Sequence, residues 1–204
     1  MYKLFFKRLF DVLGALIGLV ILFPIISLLF ILLTLSTKGK PCFMQKRPGK
    51  NEEIFTIFKF KTMNDKKDNN GVILPDTERL TFLGKFIRKT SLDEIPQLLN
   101  VLKGDMSFIG PRPLLIRYLP YYSSSEKKRH LIRPGITGLA QISGRNLLNW
   151  DERLKKDVEY VDNISFSQDL NILFISIKNV LTSKDIVVDP SSVMADLDNL
   201  RKLD

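Results

Sequence analysis

Residues 12–35 contain no charged side chain, and Pro24 stands at the middle of them. As a helix rising about 1.5 Å per residue, such a stretch reaches roughly 36 Å, enough to cross a hydrocarbon core of about 30 Å. Lys3, Lys7 and Arg8 precede it, and Lys38, Lys40, Lys46, Arg47 and Lys50 follow it. With basic residues on both flanks, the positive-inside bias selects no direction, and both ends read as lying on one side. Pro24 has no N–H for the carbonyl of Val20, and its ring crowds that carbonyl, so a bend is expected there. Two readings fit: a spanning helix with a tolerated proline, and a re-entrant helix that returns to the leaflet it entered. A cleaved leader fits poorly, because its apolar region runs to about 7–15 residues and residues 34–40 offer no small-residue cleavage pattern.

The formal net charge of +9 gathers beside this segment, since residues 1–50 hold eight basic residues against Asp11 alone. Anionic membrane lipid is the partner such a belt implies, at about 1 kcal/mol per basic residue near the surface. Nucleic acid is not expected, because the rest of the chain is close to neutral and carries no nucleic-acid-binding motif. Cys42 is the sole cysteine, so no internal disulfide forms, and it reads as a small buried hydrophobe. His130, in the run Glu126-Lys127-Lys128-Arg129-His130, reads as part of a solvated helix face, with no histidine-based triad or metal site indicated.

Beyond the apolar segment, enough chain remains for one domain with its own core. Residues 41–47 fit a short strand. Residues 54–62 alternate, with Thr56, Phe58 and Phe60 on one face and Phe55, Ile57, Lys59 and Lys61 on the other. The polar residues 64–76 read as a loop around Asn69-Asn70-Gly71. Helical spacing covers 82–89 and 92–102, the second closing at Lys103-Gly104. Further helices are expected at 150–161, capped by Asn149, and at 168–181, capped by Ser167. In the last of these, Leu170, Leu173, Phe174, Ile177 and Leu181 form a stripe that either joins the core or rests on a bilayer. The expected architecture is α+β and mostly helical, with a membrane helix over 1–36, a compact domain over 37–183 and a tail over 184–204 of undeclared role.

Residues able to do chemistry gather between Arg88 and Arg145. Ser91-Leu92-Asp93-Glu94 matches a capping box, in which both carboxylates would only serve a helix start. Pro96 conflicts with a helix beginning at Leu92, so the start is irregular or shifted toward Ile95. In either geometry two adjacent carboxylates sit at a positive helix end, a place that also favours phosphate. Pro111-Arg112-Pro113 holds Arg112 on extended backbone as a preorganised donor. Gly110, Gly135, Gly138 and Gly144 offer turns at which anions approach N–H groups, close to Arg133 and Arg145. With Lys59, Lys61 and Arg88, these cations around a carboxylate pair suggest phosphate chemistry with a divalent metal. Asp93 and Glu94 would hold Mg²⁺, and Arg and Lys would neutralise phosphate oxygens. The bland rival is a non-catalytic membrane-anchored scaffold that binds anionic lipid and uses Asp93 and Glu94 only as a cap.

Several segments occur together and in order: Lys7-Arg8 with Asp11, Gln45-Lys46-Arg47-Pro48-Gly49, Phe58-Lys59-Phe60-Lys61-Thr62-Met63, and Ser91-Leu92-Asp93-Glu94-Ile95-Pro96-Gln97. They continue with Gly104-Asp105-Met106-Ser107-Phe108-Ile109-Gly110-Pro111-Arg112-Pro113 and Arg133-Pro134-Gly135-Ile136-Thr137-Gly138-Leu139. Together they resemble the bacterial sugar transferases called monotopic phosphoglycosyl transferases, over nearly the whole chain from Lys7 to about Leu181. The likeness is to the small type that transfers phospho-bacillosamine to open protein N-glycosylation.

That resemblance implies an enzyme on the cytoplasmic face of a bacterial inner membrane, moving a sugar phosphate from a UDP-sugar to undecaprenyl phosphate with release of UMP. It favours the re-entrant form of the membrane helix, broken at Pro24, carrying a cytoplasmic catalytic domain with interfacial amphipathic helices. By motif position Asp93 would be the nucleophile of a covalent phosphosugar intermediate, and Glu94 would assist with proton transfer or metal placement. Mg²⁺ would bridge carboxylate and diphosphate. Lys59, Arg88, Arg112 and Arg145 match positions suited to binding substrate phosphate or nucleotide, and Asp157 and Asp169 also match family positions. Downstream glycosyltransferases are the partners implied for the product. Two residues depart from the family pattern: Phe23 precedes Pro24 where Ser is common, and Ser143 stands where relatives often carry Asn.

Overall fold

The computed structural model describes residues 1–144, 148–182 and 195–201. A single π-helical turn, Tyr2–Phe6, runs directly into helix α1, Lys7–Ser36. α1 is long and apolar enough to cross a membrane, and it continues as one helix through Pro24. Its packing is one-sided. Ala15, Leu29 and Leu33 are buried, while Leu13, Ile17, Val20, Phe23, Ile31 and Leu35 are exposed. Ala15 shares one apolar cluster with Leu98, Val101 and Met106, against which Leu19 and Leu22 also pack. Leu29 and Leu33 share another with Phe60 and Ile87. The helix therefore lies against the domain along both of its halves.

Polar groups pin its first turns. Arg8 donates to the carbonyls of Val101 and Leu102, at 2.6 and 3.0 Å, filling acceptors that a helix C-terminus leaves open. Buried Asp11 accepts from Ser107 Oγ and from the Phe108 N–H, both at 2.9 Å. Gly14 is small because a Cβ there would stand 2.9 Å from the Phe108 ring.

After α1, strands β1 (Cys42–Pro48) and β2 (Ile54–Phe60) form an antiparallel hairpin. Its register matches Phe43 with Lys59, Gln45 with Ile57 and Arg47 with Phe55, so these side chains share one face. Two short helices follow the polar loop, α2 (Asp76–Arg79) and α3 (Phe82–Lys89), the latter with the bounds its periodicity predicts and with Thr81 as its cap. The helix expected over 92–102 divides in two. A 3₁₀ turn, Leu92–Glu94, comes first, and α4 (Gln97–Lys103) starts after Pro96 and ends at left-handed Gly104. Pro96 explains the division, since a continuous helix would need the N–H it lacks. The capping box does not form: Ser91 itself is left-handed, at φ 56°, and its hydroxyl makes no cap bond.

Strands β3 (Ser107–Ile109) and β4 (Gly135–Thr137) pair in parallel. Gly110 and Gly135 serve this pairing, not anion binding. A Cβ at either would lie 2.5 or 2.1 Å from facing backbone, and their N–H groups already donate to Thr137 and Pro111. The chain continues through α5 (Leu139–Ile142), α6 (Trp150–Asp162), α7 (Phe166–Leu181) and α8 (Leu197–Leu200). Asn149 caps α6 as expected. α7 begins two residues earlier than its pattern indicated, with Ser165 and not Ser167 as cap, because the Ser165 hydroxyl accepts from Gln168 N–H. Leu170, Phe174, Ile177 and Leu181 are exposed, which removes the core reading of the α7 stripe.

Two single-residue expectations are corrected. Cys42 is exposed, because it opens β1 at the end of the hairpin, and although it stands opposite Phe60 it joins neither apolar cluster that α1 covers. His130 is buried, with Nδ1 3.2 Å from the Gly49 carbonyl and its ring 5.7 Å from that of Tyr122. Of the tail, only residues 195–201 are described: Leu197 is buried with Tyr118 and Trp150, and Trp150 Nε1 donates to the Ala195 carbonyl at 2.8 Å.

Candidate active site

The break before α4 turns Asp93 and Glu94 toward the Lys59 face of the hairpin. Glu94 Oε1 accepts from Lys59 Nζ at 2.8 Å and from Arg112 Nη2 at 2.7 Å. Lys59 Nζ lies 3.8 Å from Asp93 Oδ2, and Asp93 accepts no hydrogen bond among the described residues. The two carboxylates are thus unlike. Burial raises the pKa of Glu94, but Arg112 and then Lys59 outweigh it and hold the group well below the usual carboxylate range. Burial and the Glu94 charge push Asp93 up to about 6, against the pull of Lys59 and Arg112. At neutral pH both are ionised, and Asp93 is the more basic and the less encumbered.

Arg112 is held from behind. The buried Arg129 guanidinium donates to the Arg112 carbonyl at 2.6 Å and forks onto Asp157 Oδ2 at 2.8 and 3.1 Å. With side-chain exposures of 1% and 2%, this ion pair lies wholly inside the fold. Sequence reasoning missed Arg129 because it stands in a run of surface-like charges, and only the tertiary fold brings it under the Pro-Arg-Pro loop. Arg88, at the end of α3, donates from Nε to Thr62 Oγ1 at 2.9 Å and lines the same cleft as the carboxylates. Arg145 lies outside the described residues. Pro24 is an exposed position of α1. Asp169 is a tie elsewhere, accepting from Tyr2 and Lys7 on one oxygen and from Tyr160 on the other at 2.6–2.7 Å.

The cleft has a volume of about 1540 Å³ and two kinds of wall. Lys59, Arg88 and Arg112 make it cationic, together with Arg47 and Arg153, which the sequence did not single out. Leu22 and Phe30 of α1, with Leu173 and Ile177 of α7, make it apolar. Among the described residues no group of three or more His, Cys, Asp or Glu side chains could hold a metal ion. Asp93 and Glu94 still fit as the protein's share of a Mg²⁺ site, because Mg²⁺ commonly takes one or two carboxylates and completes its octahedron with phosphate oxygens and water.

A little-encumbered carboxylate, a second one locked between cations, and an adjoining apolar wall thus meet in one cleft. Residues 2–183 match the model of the bacterial sugar transferase family, and the chain belongs to that family. It is 49% identical to the uncharacterized sugar transferase EpsL of Bacillus subtilis, over 88% of this chain and 89% of that protein. It is 38% identical to the exopolysaccharide production protein ExoY of Sinorhizobium fredii, over 87% and 86% of the two chains. The UDP-N-acetylgalactosamine-undecaprenyl-phosphate N-acetylgalactosaminephosphotransferase of Aeromonas hydrophila is 37% identical over 87% of this chain, which spans 44% of that longer protein.

Proposed function

We propose that this protein transfers a sugar 1-phosphate from a UDP-sugar to undecaprenyl phosphate, releasing UMP, in two steps through Asp93. A carboxylate oxygen of Asp93 bonds to the phosphorus that bears the sugar, and the bond to UMP breaks, UMP leaving with the electron pair. An oxygen of the polyprenyl phosphate then attacks that same phosphorus, frees the Asp93 carboxylate and yields a polyprenyl diphosphate sugar. The observation that carries this reading is the division of labour in the pair: Glu94 is held by Lys59 and Arg112 at hydrogen-bond distance, while Asp93 beside it is the more basic, has Lys59 Nζ at 3.8 Å and accepts no hydrogen bond among the described residues. A carboxylate nucleophile lets a water-soluble donor and a lipid acceptor react in turn. Arg112, fixed by its prolines and by Arg129, is placed to neutralise phosphate charge as it develops.

Mg²⁺ is the proposed cofactor, held by Asp93 and the free oxygen of Glu94, and when bound it would screen the diphosphate charge. The packing of α1 supports a monotopic anchor. Its start is pinned to α4 and β3, its end leads into β1, and both halves lie on one domain, packing that favours both flanks on one face of the membrane. A spanning helix would carry that domain into the bilayer. We place the domain on the cytoplasmic face of a bacterial inner membrane, where basic flanks reside. Exposed apolar faces of α3 and α7 would rest at the interface, and downstream glycosyltransferases would take up the lipid-linked product. The named relatives favour a polysaccharide as the end of that sequence; the sugar itself stays unassigned.

The test is an assay of UMP release from a panel of UDP-sugars with Mg²⁺. Without lipid acceptor, the two-step route releases at most about one UMP per active site and leaves a sugar phosphate on Asp93, seen as an intact-mass increase. Asp93→Asn should bind the membrane and fold normally yet form neither product nor adduct. Lipid product without any adduct under single turnover would favour direct transfer, and no UMP under any condition would leave the scaffold reading.

A further inference from the structure

Chain termini fray unless something ties them down, and residues 195–201 are tied at three points. Leu197 is fully buried in one apolar cluster with Leu114, Tyr118 and Trp150. The Ala195 carbonyl takes the Trp150 indole N–H at 2.8 Å, which satisfies the one polar group of that buried ring. Arg201 forks onto Glu126, Nη1 to Oε2 at 2.8 Å and Nη2 to Oε1 at 2.9 Å, and Nη1 also donates to the Tyr121 carbonyl at 3.0 Å. Further ion pairs join Arg117 with Asp196 and Asp198, but Arg117 is half-exposed in them and such pairs hold little. Leu197 and Arg201 therefore carry the docking.

The segments joined in this way are those that seat Arg112. The 3₁₀ turn Ile116–Tyr121 follows the Pro111-Arg112-Pro113 loop, and Leu114 between them lies in the Leu197 cluster. Glu126 opens the 3₁₀ turn Glu126–Leu131, which carries Arg129, the donor to the Arg112 carbonyl at 2.6 Å. Trp150 opens α6, which carries Asp157, the partner of Arg129. From this seat the Arg112 guanidinium reaches forward to Glu94 at 2.7 Å. A shift of the seat moves it relative to both carboxylates, and a misplacement of about 1 Å that starts far from the chemistry can cost about a hundredfold in rate.

We propose that residues 195–201 are a positioning strap for the active site: Leu197 and Arg201 clamp the two 3₁₀ turns and α6 together, and through them hold Arg112 at Glu94 and at the phosphate that Asp93 attacks. The last of these rests on the transferase reading above. No residue of the strap lines the cleft, so it acts through the residues it holds and not on substrate. Its place is that of an outer layer of support, which fixes a reacting group by fixing what stands behind it.

The experiment follows the carboxyl carbon-13 signals of Asp93 and Glu94 against pH in the full-length protein in lipid nanodiscs, beside the rate of UMP release. Burial and the Glu94 charge raise the Asp93 pKa, and Lys59, Arg112 and Arg88 pull it down. Arg201→Gln and Leu197→Ala, by letting Arg112 drift, should each move the Asp93 midpoint upward by about one unit. UMP release should fall about tenfold or more, and Arg201→Lys should keep much of both properties. Arg201→Gln carries the test should Leu197→Ala fail to melt cooperatively. An Asp93 midpoint unmoved in every folded variant overturns the strap even if UMP release falls, since loss of folded protein lowers a rate without moving a titration. A midpoint that rises while UMP release keeps its wild-type rate overturns the positioning role. If wild-type protein releases no UMP from any UDP-sugar and the midpoint still rises in the variants, the strap stands as the seat of Arg112 and the transferase reading fails.

Discussion

His130 is enclosed beside Arg129 and Tyr122, and the fold tolerates it only as a neutral ring. Burial and then the Arg129 charge push its pKa down to about 4, against an ordinary 6.5. Between those values the unfolded chain binds a proton that the folded chain does not, so stability rises with pH and is lost as pH falls from about 6.5 to about 4. The loss is on the order of 3 kcal/mol. His130→Gln should flatten the dependence of the melting temperature on pH over that window, and an unchanged slope would show that the acid sensitivity lies elsewhere. Lys59 gives a contrasting prediction. Lys59→Met removes one of two cations on Glu94 and the one nearest Asp93, so turnover should fall about a hundredfold with little change in melting temperature.

Among the elements, the 3₁₀ turn and α4 separate what sequence can express from what it cannot. The strands of the hairpin, α3 and α6 follow from alternation, helical spacing and local caps, all properties of near neighbours along the chain. The carboxylate pair and Arg112 were legible for the same reason, one from adjacency and the other from its prolines. Ser91 was misread because Ser-x-x-Glu is also the pattern of a cap, and only Pro96 hinted that the helix starts later. With Ser91 left-handed and uncapped, Ser91→Ala should be nearly neutral, where loss of a real cap would cost about 1 kcal/mol. Ser91→Gly should stabilise by up to about 1 kcal/mol, since glycine adopts that conformation freely. Chemical denaturation distinguishes these outcomes. The Arg129–Asp157 pair and the Arg47 environment were not legible, because they join segments far apart in the chain and carry no local pattern. Asp157→Asn should cost about 3–5 kcal/mol by stranding a buried guanidinium. It should also slow any reaction that needs Arg112.

At the scale of the whole molecule, α1 behaves as a strut of the domain as much as an anchor. A stripe from Asp11 through Ala15 and Leu29 to Leu33 is buried by elements that come later in the chain. The remaining circumference, joined by the exposed face of α7, presents large apolar side chains that water would not tolerate in so extended a patch. In the proposed monotopic arrangement one side of α1 rests on the domain and the other in lipid, and a spanning form would have to give up the domain contacts of one of its halves. Cys42 supplies the test: it is exposed, it follows α1 directly, and it is the only cysteine in the chain. A membrane-impermeant maleimide should label Cys42 in inside-out vesicles and spare it in right-side-out ones. Lys3→Cys in a Cys42→Ser background reports the other end of the helix, and the monotopic arrangement requires the same sidedness for both. Opposite sidedness would establish a spanning helix. Pro24→Ala, which returns a backbone bond to the middle of α1, should move some molecules toward that spanning form.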